Sequence, residues 1–412
     1  MIRHDVAKNP LQPFEREGEN FIPLRHTALI ERVKQWLELS TTDDRTFEKL
    51  CDRLTAIFHI EHLHNLLRVE KLYGSLDPDD ETESADSNDT ADNGADAENL
   101  LDRISSVLYT AHYHRLTSED LAEAVRIGCQ WGVQLDVDFE LFENLLVFAR
   151  GYRLVKKKRR LWQKFFREET IEQPEFHRLV IAFRVKDESR LKNTFRPNTV
   201  YLKMFKNIPE TDLEVLLPGS TVRLSLFDRG KILFPTISGA ALTIYKIVKG
   251  VMLVTLATMT ALWNWLLLIA LLIGYITRSI FSYWSTRDKY QLGLTQNLYL
   301  KNLDNNLGAI YRLFKEAEEQ EICETILVYG VLLKSGLPLA EPELKAKALR
   351  LLKEITSQKV VFDIHDALGK LARLHLAEVD ADGRWRASAL LSAPNLVAEY
   401  WERQLQIETR RF

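Results

Sequence analysis

The sequence predicts an α+β chain, mainly α, with a membrane helical hairpin set between two water-facing parts. Three observations carry this reading. Apolar residues recur at helical spacing over residues 27–73 and again after residue 288. Short runs rich in Val, Phe and Tyr cluster between 136 and 232. Val251 to Ile276, VMLVTLATMTALWNWLLLIALLIGYI, runs 26 residues without a charge in a chain that is 27% charged.

That apolar run organises the chain. As one helix it would be about 39 Å long, against a hydrocarbon core of about 30 Å. Trp263, Asn264 and Trp265 would then sit near mid-bilayer. Trp prefers the interface, and an amide in hydrocarbon needs a partner. A hairpin removes the conflict: one helix over about 238–262, a second over about 265–284, and the WNW triplet turning between them. Lys246 and Lys249 flank the first helix, and Arg278, Arg287 and Lys289 flank the second. The turn carries no Lys or Arg, so both ends are expected on the cytoplasmic side. A single span and a buried soluble helix are the alternatives. The uncharged part of the first helix is only about 13 residues, short of the ~20 a span needs unless its lysines snorkel.

The other elements follow in order. Residues 1–75 form a helical region, TALIERVKQWLEL and then TFEKLCDRLTAIFHIEHLHNLLRVEKLYG, which Gly74 closes. Residues 76–99 form an acidic loop. Ten acidic residues and no basic ones lie between Asp77 and Glu98, too polar a composition to order itself. Residues 100–236 form an α+β part. It holds the helical signature from Thr117 and Asp120, the strand-like runs FENLLVFARGYRLV, FHRLVIAFRVKD, TVYLKMFKNI and TVRLSLFDRGKI, and a short helix in IPETDLEVLLPG. Residues 237–285 hold the hairpin. Residues 286–412 are helical, with one helix ending at Gly336. EPELKAKALRLLKE, FDIHDALGKLARLHL and a β-hairpin around Asp382-Gly383 then complete a winged-helix order.

Charge and cysteine usage exclude several classes. The net charge of −3 gives no global pull toward nucleic acid. Cys51, Cys129 and Cys323 lie far apart, which fits reduced thiols rather than a disulfide framework or zinc knuckle. No secretory h-region precedes the first helix. Phosphate-binding glycine loops, the G-x-S-x-G elbow and H-E-x-x-H are absent, so the sequence leans away from an enzyme. No cofactor is expected.

Parts of residues 136–335 and the flanking FIPLR (21–25) carry a resemblance. VFARG (147–151), RLVIAFRVK (178–186), LKMFKNIPETDLEVLLPG (202–219), FDRG (227–230), RDKYQLGLTQNLYLKNLDNN (287–306) and EAEEQEICETILVYG (316–330) resemble the transmembrane-protein-143-like family, a domain of unknown function. The resemblance implies membrane embedding and supplies no catalytic residues.

Two constellations are candidates for chemistry. His59, His62 and His64 in FHIEHLHN, with His112 and His114 in AHYH, are a candidate metal or enzyme site, with His59, His62, His112 and His114 as the ligands. Ordinary helix histidines are the competing reading. RGYRLVKKKRRLWQKFFR places nine Lys or Arg between Arg150 and Arg167. Lys157, Lys158, Arg159, Arg160 and Lys164 are its candidates for anionic lipid headgroups. A solvated face, or pairing with the acidic loop, competes. In the winged helix, Asp363 and Asp366 stand against Lys370 and Arg373, a poor balance for DNA.

The functional expectation is a scaffold or regulatory protein in a bacterial inner membrane or its organelle equivalent, multi-pass, with both termini cytoplasmic. The alternative is a membrane-associated hydrolase using the histidines. Expected partners are the bilayer and unidentified proteins; nucleic acid is not expected, and a homo-oligomer is left open.

Overall fold

A computed structural model describes residues 20–80, 93–117, 119–120, 133–136, 139–161, 167–187, 191, 194–218, 221–224, 299–356 and 358–409, with isolated positions between 270 and 281. The chain is a mixed α+β protein, mostly helical. It divides into two compact units that do not follow chain order. One comprises Met1–Thr117, Glu140–Pro209 and Leu303–Phe412, the other Ser118–Phe139 and Glu210–Asn302.

The larger unit begins with helices α1 (His26–Leu37) and α2 (Thr41–Tyr73). The side chain of Ser40 caps α2, accepting from the Asp43 N–H, and Asp43 and Asp44 occupy the first turn. The Gly74 N–H closes the other end on Glu70. Helix α3 follows at Asn93–Thr110. The order expected to be missing over 76–99 is therefore present at both of its ends. Leu76 is fully buried and its carbonyl accepts from the Val200 N–H. Asn306 donates to Asp79 at 2.8 Å. The acidic segment is narrowed to 81–92, outside the described residues. Burial of one apolar side chain at each end is what the composition concealed.

A five-stranded sheet has the order β1-β3-β4-β5-β7. The strands are β1 (His114–Arg115), β3 (Phe142–Leu161), β4 (Arg167–Val185), β5 (Tyr201–Pro209) and β7 (Asn302–Asn305). β3 and β4 are far longer than the apolar runs that announced them, because the charged stretch continues the pairing to Leu161 and Arg167. Helix α5 (Asn306–Ser335) follows β7 directly, and Gly336, at φ +62°, ends it as expected.

The helix, helix, helix, hairpin order expected for residues 286–412 is present. α5 leads to β8 (Leu339–Ala340), α6 (Glu341–Thr356) and α7 (His365–Arg373). The hairpin β9 (Ala377–Val379) and β10 (Arg384–Ala387) then forms a three-stranded sheet, β8-β10-β9. Gly383 turns it at φ +75°. A last helix, α8 (Ala393–Thr409), follows.

The smaller unit contains the antiparallel pair β2 (Val133–Asp136) and β6 (Thr221–Leu224), and the short helix α4 (Leu213–Leu216) where IPETDLEVLLPG predicts one. Of the helix expected from Thr117 and Asp120, Glu119 and Asp120 are helical; the rest of it, the DRG turn at Asp228–Gly230 and nearly all of Val251–Ile276 lie outside the described residues, including Val251, Trp263, Asn264, Trp265 and Ile276. Residues 270, 273, 274, 277, 278 and 281 are helical. Among the described residues no helix is long and apolar enough to cross a membrane.

Two apolar clusters fill the larger unit, and α2 and α5 run through both. One holds Phe47–Phe58 of α2, Ile322–Leu332 of α5 and the elements from β8 to α8. The other holds Leu66–Tyr73 of α2, Ala309–Ala317 of α5, α3 and one face of the sheet. On both helices the switch between clusters falls on a charged stretch.

Candidate functional site

The stretch EAEEQEICE (316–324) of α5 forms that junction, and its polar residues bond in several directions. Helical geometry explains this. Residues 316–324 cover more than two turns and so project all around the axis. α5 is enclosed on most sides, so each carboxylate needs its own partner.

Four glutamates meet four histidines. His26 Nδ1 lies 2.9 Å from Glu319 Oε1, and the His26 backbone N–H donates to the same oxygen at 2.6 Å. His59 Nδ1 lies 3.1 Å from Glu318 Oε2, and His62 Nε2 lies 2.8 Å from Glu321 Oε2. His112 bonds Glu324 through Nε2. His59 and His62, three apart on α2, thus read Glu318 and Glu321, three apart on α5. His114 turns elsewhere, to Asn20 at 2.6 Å. Burial holds its imidazole below the ordinary histidine value, with His112 adding to the effect.

Lys370 of α7 fills the space between two of these carboxylates. Its Nζ is 3.1 Å from Glu321, 3.7 Å from Glu324 and 2.6 Å from Asp366. Burial opposes its charge, but Glu321, Glu324 and Asp366 outweigh that and raise its pKa. Burial opposes the Glu321 charge as well. The His62 bond and the Lys370 charge overcome it and hold Glu321 at about 2. Arg373, one turn further along α7, pairs with Glu61 of α2 at 2.9 Å. The two bases of the candidate DNA-reading helix therefore face inward or sideways onto protein carboxylates. What α7 exposes is His365, Asp366 and Gly369, beside Arg373.

At the sheet end, Glu316 is held three ways. Arg150 Nη2 lies 2.6 Å away, Arg178 Nε 3.3 Å away, and Tyr113 donates its hydroxyl at 2.7 Å. Arg150 and Arg178 are level across β3 and β4, so Glu316 relieves a like-charge pair. Arg150 is sandwiched at 4.6 Å from the Phe21 ring and 4.7 Å from the Tyr113 ring. His177 stacks on the other partner in this group, Phe21, at 5.6 Å. Burial, then the charges of Arg178, Arg150 and Arg153, depress its pKa to about 4.

The FIPLR segment crosses α5 here. The Ile22 N–H donates to Gln320 Oε1 at 2.8 Å, and Gln320 Nε2 donates back to the Ile22 carbonyl at 3.1 Å. FIPLR, VFARG, RLVIAFRVK and EAEEQEIC, separate in sequence, meet in this one junction.

The candidate histidines His59, His62, His112 and His114 each make an ordinary hydrogen bond to a carboxylate or amide. His59, His62 and His112 gather on α5 but each bonds a different carboxylate. Among the described residues no group of three His, Cys, Asp or Glu is arranged to hold a metal ion. Between Glu321 and Glu324 the cation present is Lys370. Cys51 and Cys323 are free and buried, with thiol pKa values pushed up by burial. Cys129 lies outside the described residues.

The lipid candidates are placed by strand register. Arg159 is level with Glu169 and Arg160 with Glu168, while Lys157 and Lys158 face Ile171 and Thr170. Lys164 lies outside the described residues. The basic run thus lies in register with the acids of β4, and Lys156 pairs with Glu172 at 3.7 Å. The signal was present in REETIE, which follows the run at hairpin distance.

Residues 176–308 match a family described as a protein of unknown function (DUF3754). The DUF3754 match runs from β4 to the first turn of α5. It takes in Arg178, His177 and the apolar run, and stops short of the 316–324 stretch. No solved structure matches the chain.

Proposed function

We propose that the chain is a membrane-anchored scaffold or regulatory protein whose larger unit is a rigid interaction body. The observation that carries the scaffold reading is the commitment of His59, His62 and His112 to separate carboxylates of one helix, with Lys370 set between two of them. A catalytic site needs a group free to exchange protons or hold a metal. These groups instead fix how two cores meet, the kind of specificity role open to buried charges.

The anchor rests on the apolar run of 26 residues and its basic flanks. The helical positions within and just after it leave Ile273 and Phe281 exposed, at 55% and 68%. Such side chains suit a lipid environment. The resemblance to the transmembrane-protein-143-like family agrees with this reading, and a bacterial inner membrane or its organelle equivalent is the proposed location. Headgroup contact is proposed for Lys157 and Lys158, which have no glutamate level with them.

Topology tests the anchor. Reporters fused at residues 1 and 412 should both register the cytoplasm. Opposite sides would exclude the hairpin, and release of the whole chain by carbonate washing would exclude any anchor.

A further inference from the structure

The hairpin of β3 and β4 outgrows its sheet. β5 pairs with β4 only from Phe183 back to Glu175, where its own Pro209 is reached. Pro174 follows on β4. Neither proline has an N–H, so the ladder ends there. β1 pairs with β3 only at Phe148 and Ala149. Gly151, at φ +68°, marks the point where β3 leaves the sheet. Beyond it, Tyr152–Leu161 pair only with Arg167–Phe176. From Leu154–Leu161 against Arg167–Pro174 this is a two-stranded ribbon about 26 Å long. Among the described residues, neither edge of its distal part meets another strand.

The two edges carry opposite charge. Residues 154–161 of β3 hold five Lys or Arg and no acid, and residues 167–174 of β4 hold three Glu and one Arg. Within the ribbon the register sets Lys156 against Glu172, Arg159 against Glu169 and Arg160 against Glu168. Lys156 and Glu172 form an ion pair at 3.7 Å in which both side chains are exposed. Leu154 and Pro174 are level on the same stretch, and Leu154 is 60% exposed.

An open strand edge is a row of unpaired backbone groups that invites another strand. Charged edges normally block this, because an edge meeting its own copy meets like charge. That argument excludes β3 against β3 and β4 against β4 here. It does not exclude β4 against β3, where the same register would repeat all three opposite-charge pairs between copies. We propose that the ribbon is a self-association element, in which the acidic β4 edge of one copy adds to the basic β3 edge of the next. Antiparallel pairing makes the two ribbons point the same way. Such a contact is head-to-tail, so each added copy leaves a fresh complementary edge, and closure gives a ring. The second copy is the occupant because this chain itself supplies both charge patterns in matching register. The acidic segment 81–92 is a poorer match, being rich in Asp, Asn and Ser, which strands disfavour. The proposal stands apart from the membrane reading, since an unanchored chain would present the same edges.

A charge-swapped full-length chain tests it. Lys156→Glu, Arg159→Glu and Arg160→Glu combined with Glu168→Arg, Glu169→Arg and Glu172→Lys keep these three pairs inside the ribbon while inverting their charges on both edges. Native and swapped chains, in detergent and labelled at the C-terminus with donor or acceptor dyes, are mixed in all combinations at low salt. Native with native and swapped with swapped should associate equally well. Native with swapped should associate at least ten times more weakly, because β4 of one now meets like charge on β3 of the other. The contrast should fade at high salt. Equal association in the mixed sample, or a single-copy mass for the native chain, overturns the proposal.

Discussion

Lys370 on α7 stands 3.1 Å from Glu321 on α5, joining the two helices through a buried ion pair. Glu324 and Asp366 complete the cage. The lysine side chain is 10% exposed. Removing one partner of such a group leaves the other charge buried alone. Lys370→Met should destabilise the chain by about 3–5 kcal/mol. Adding Glu321→Gln to it should recover part of the loss. Urea titration followed by circular dichroism measures both. An equal or larger loss in the double variant would show that the pair is not the source.

Gly330 on α5 sets how closely α1 approaches. A Cβ built there would lie 2.8 Å from Val33 Cγ1. Valine is stiff at χ1, so the methyl cannot swing aside cheaply. Gly330→Ala should cost about 1–3 kcal/mol as overpacking, despite the gain in helix propensity. Val33→Ala in the same chain should relieve it. Thermal melts of the two single variants and the double variant decide the matter. Additive losses would rule out the clash.

Tyr113 is fully buried and gives its only hydroxyl proton to Glu316. Tyr113→Phe keeps the ring beside Arg150 and deletes the bond. A hydrogen bond to a charged group is worth about 1.5–3 kcal/mol. A loss in that range should appear in denaturant melts, whereas Tyr113→Leu, which also removes the cation–π contact, should lose more.

Stability should fall in acid in two stages. His177 has a pKa of about 4 in the fold, below its ordinary 6.5, so the unfolded chain binds the proton first. Its contribution is fully present above pH 6.5 and drains away as the pH drops toward 4. Glu321, held at about 2 against an ordinary 4.5, adds a second loss between those values. Melting temperatures taken at pH 7, 5.5 and 4.5 should decline through the first window. His177→Gln should flatten that decline and leave the lower one intact. A variant with an unchanged slope would assign the first stage to another group.

The helices α1, α2, α6 and α7, the wing turn at Asp382-Gly383 and the stop at Gly336 were legible because local rules produce them. Apolar spacing, capping residues and glycine at left-handed positions act within a few residues. The candidate histidines were legible as clusters for the same reason, since three-residue spacing puts His59 and His62 on one face. Their partners were not. Glu318 and Glu321 lie 259 residues away, and only the antiparallel packing of α2 on α5 brings them together. The true length of β3 was hidden because its distal half reads as charge, and strand pairing with REETIE is a matter of register rather than composition. The ends of the acidic loop were hidden by single buried residues such as Leu76. What the sequence determined alone is the set of local elements and the uncharged run of 26 residues, since both depend on neighbours in the chain. What only the tertiary structure decided is which charge meets which. A buried carboxylate is stable only beside its counter-charge, and that neighbour comes from a distant part of the chain.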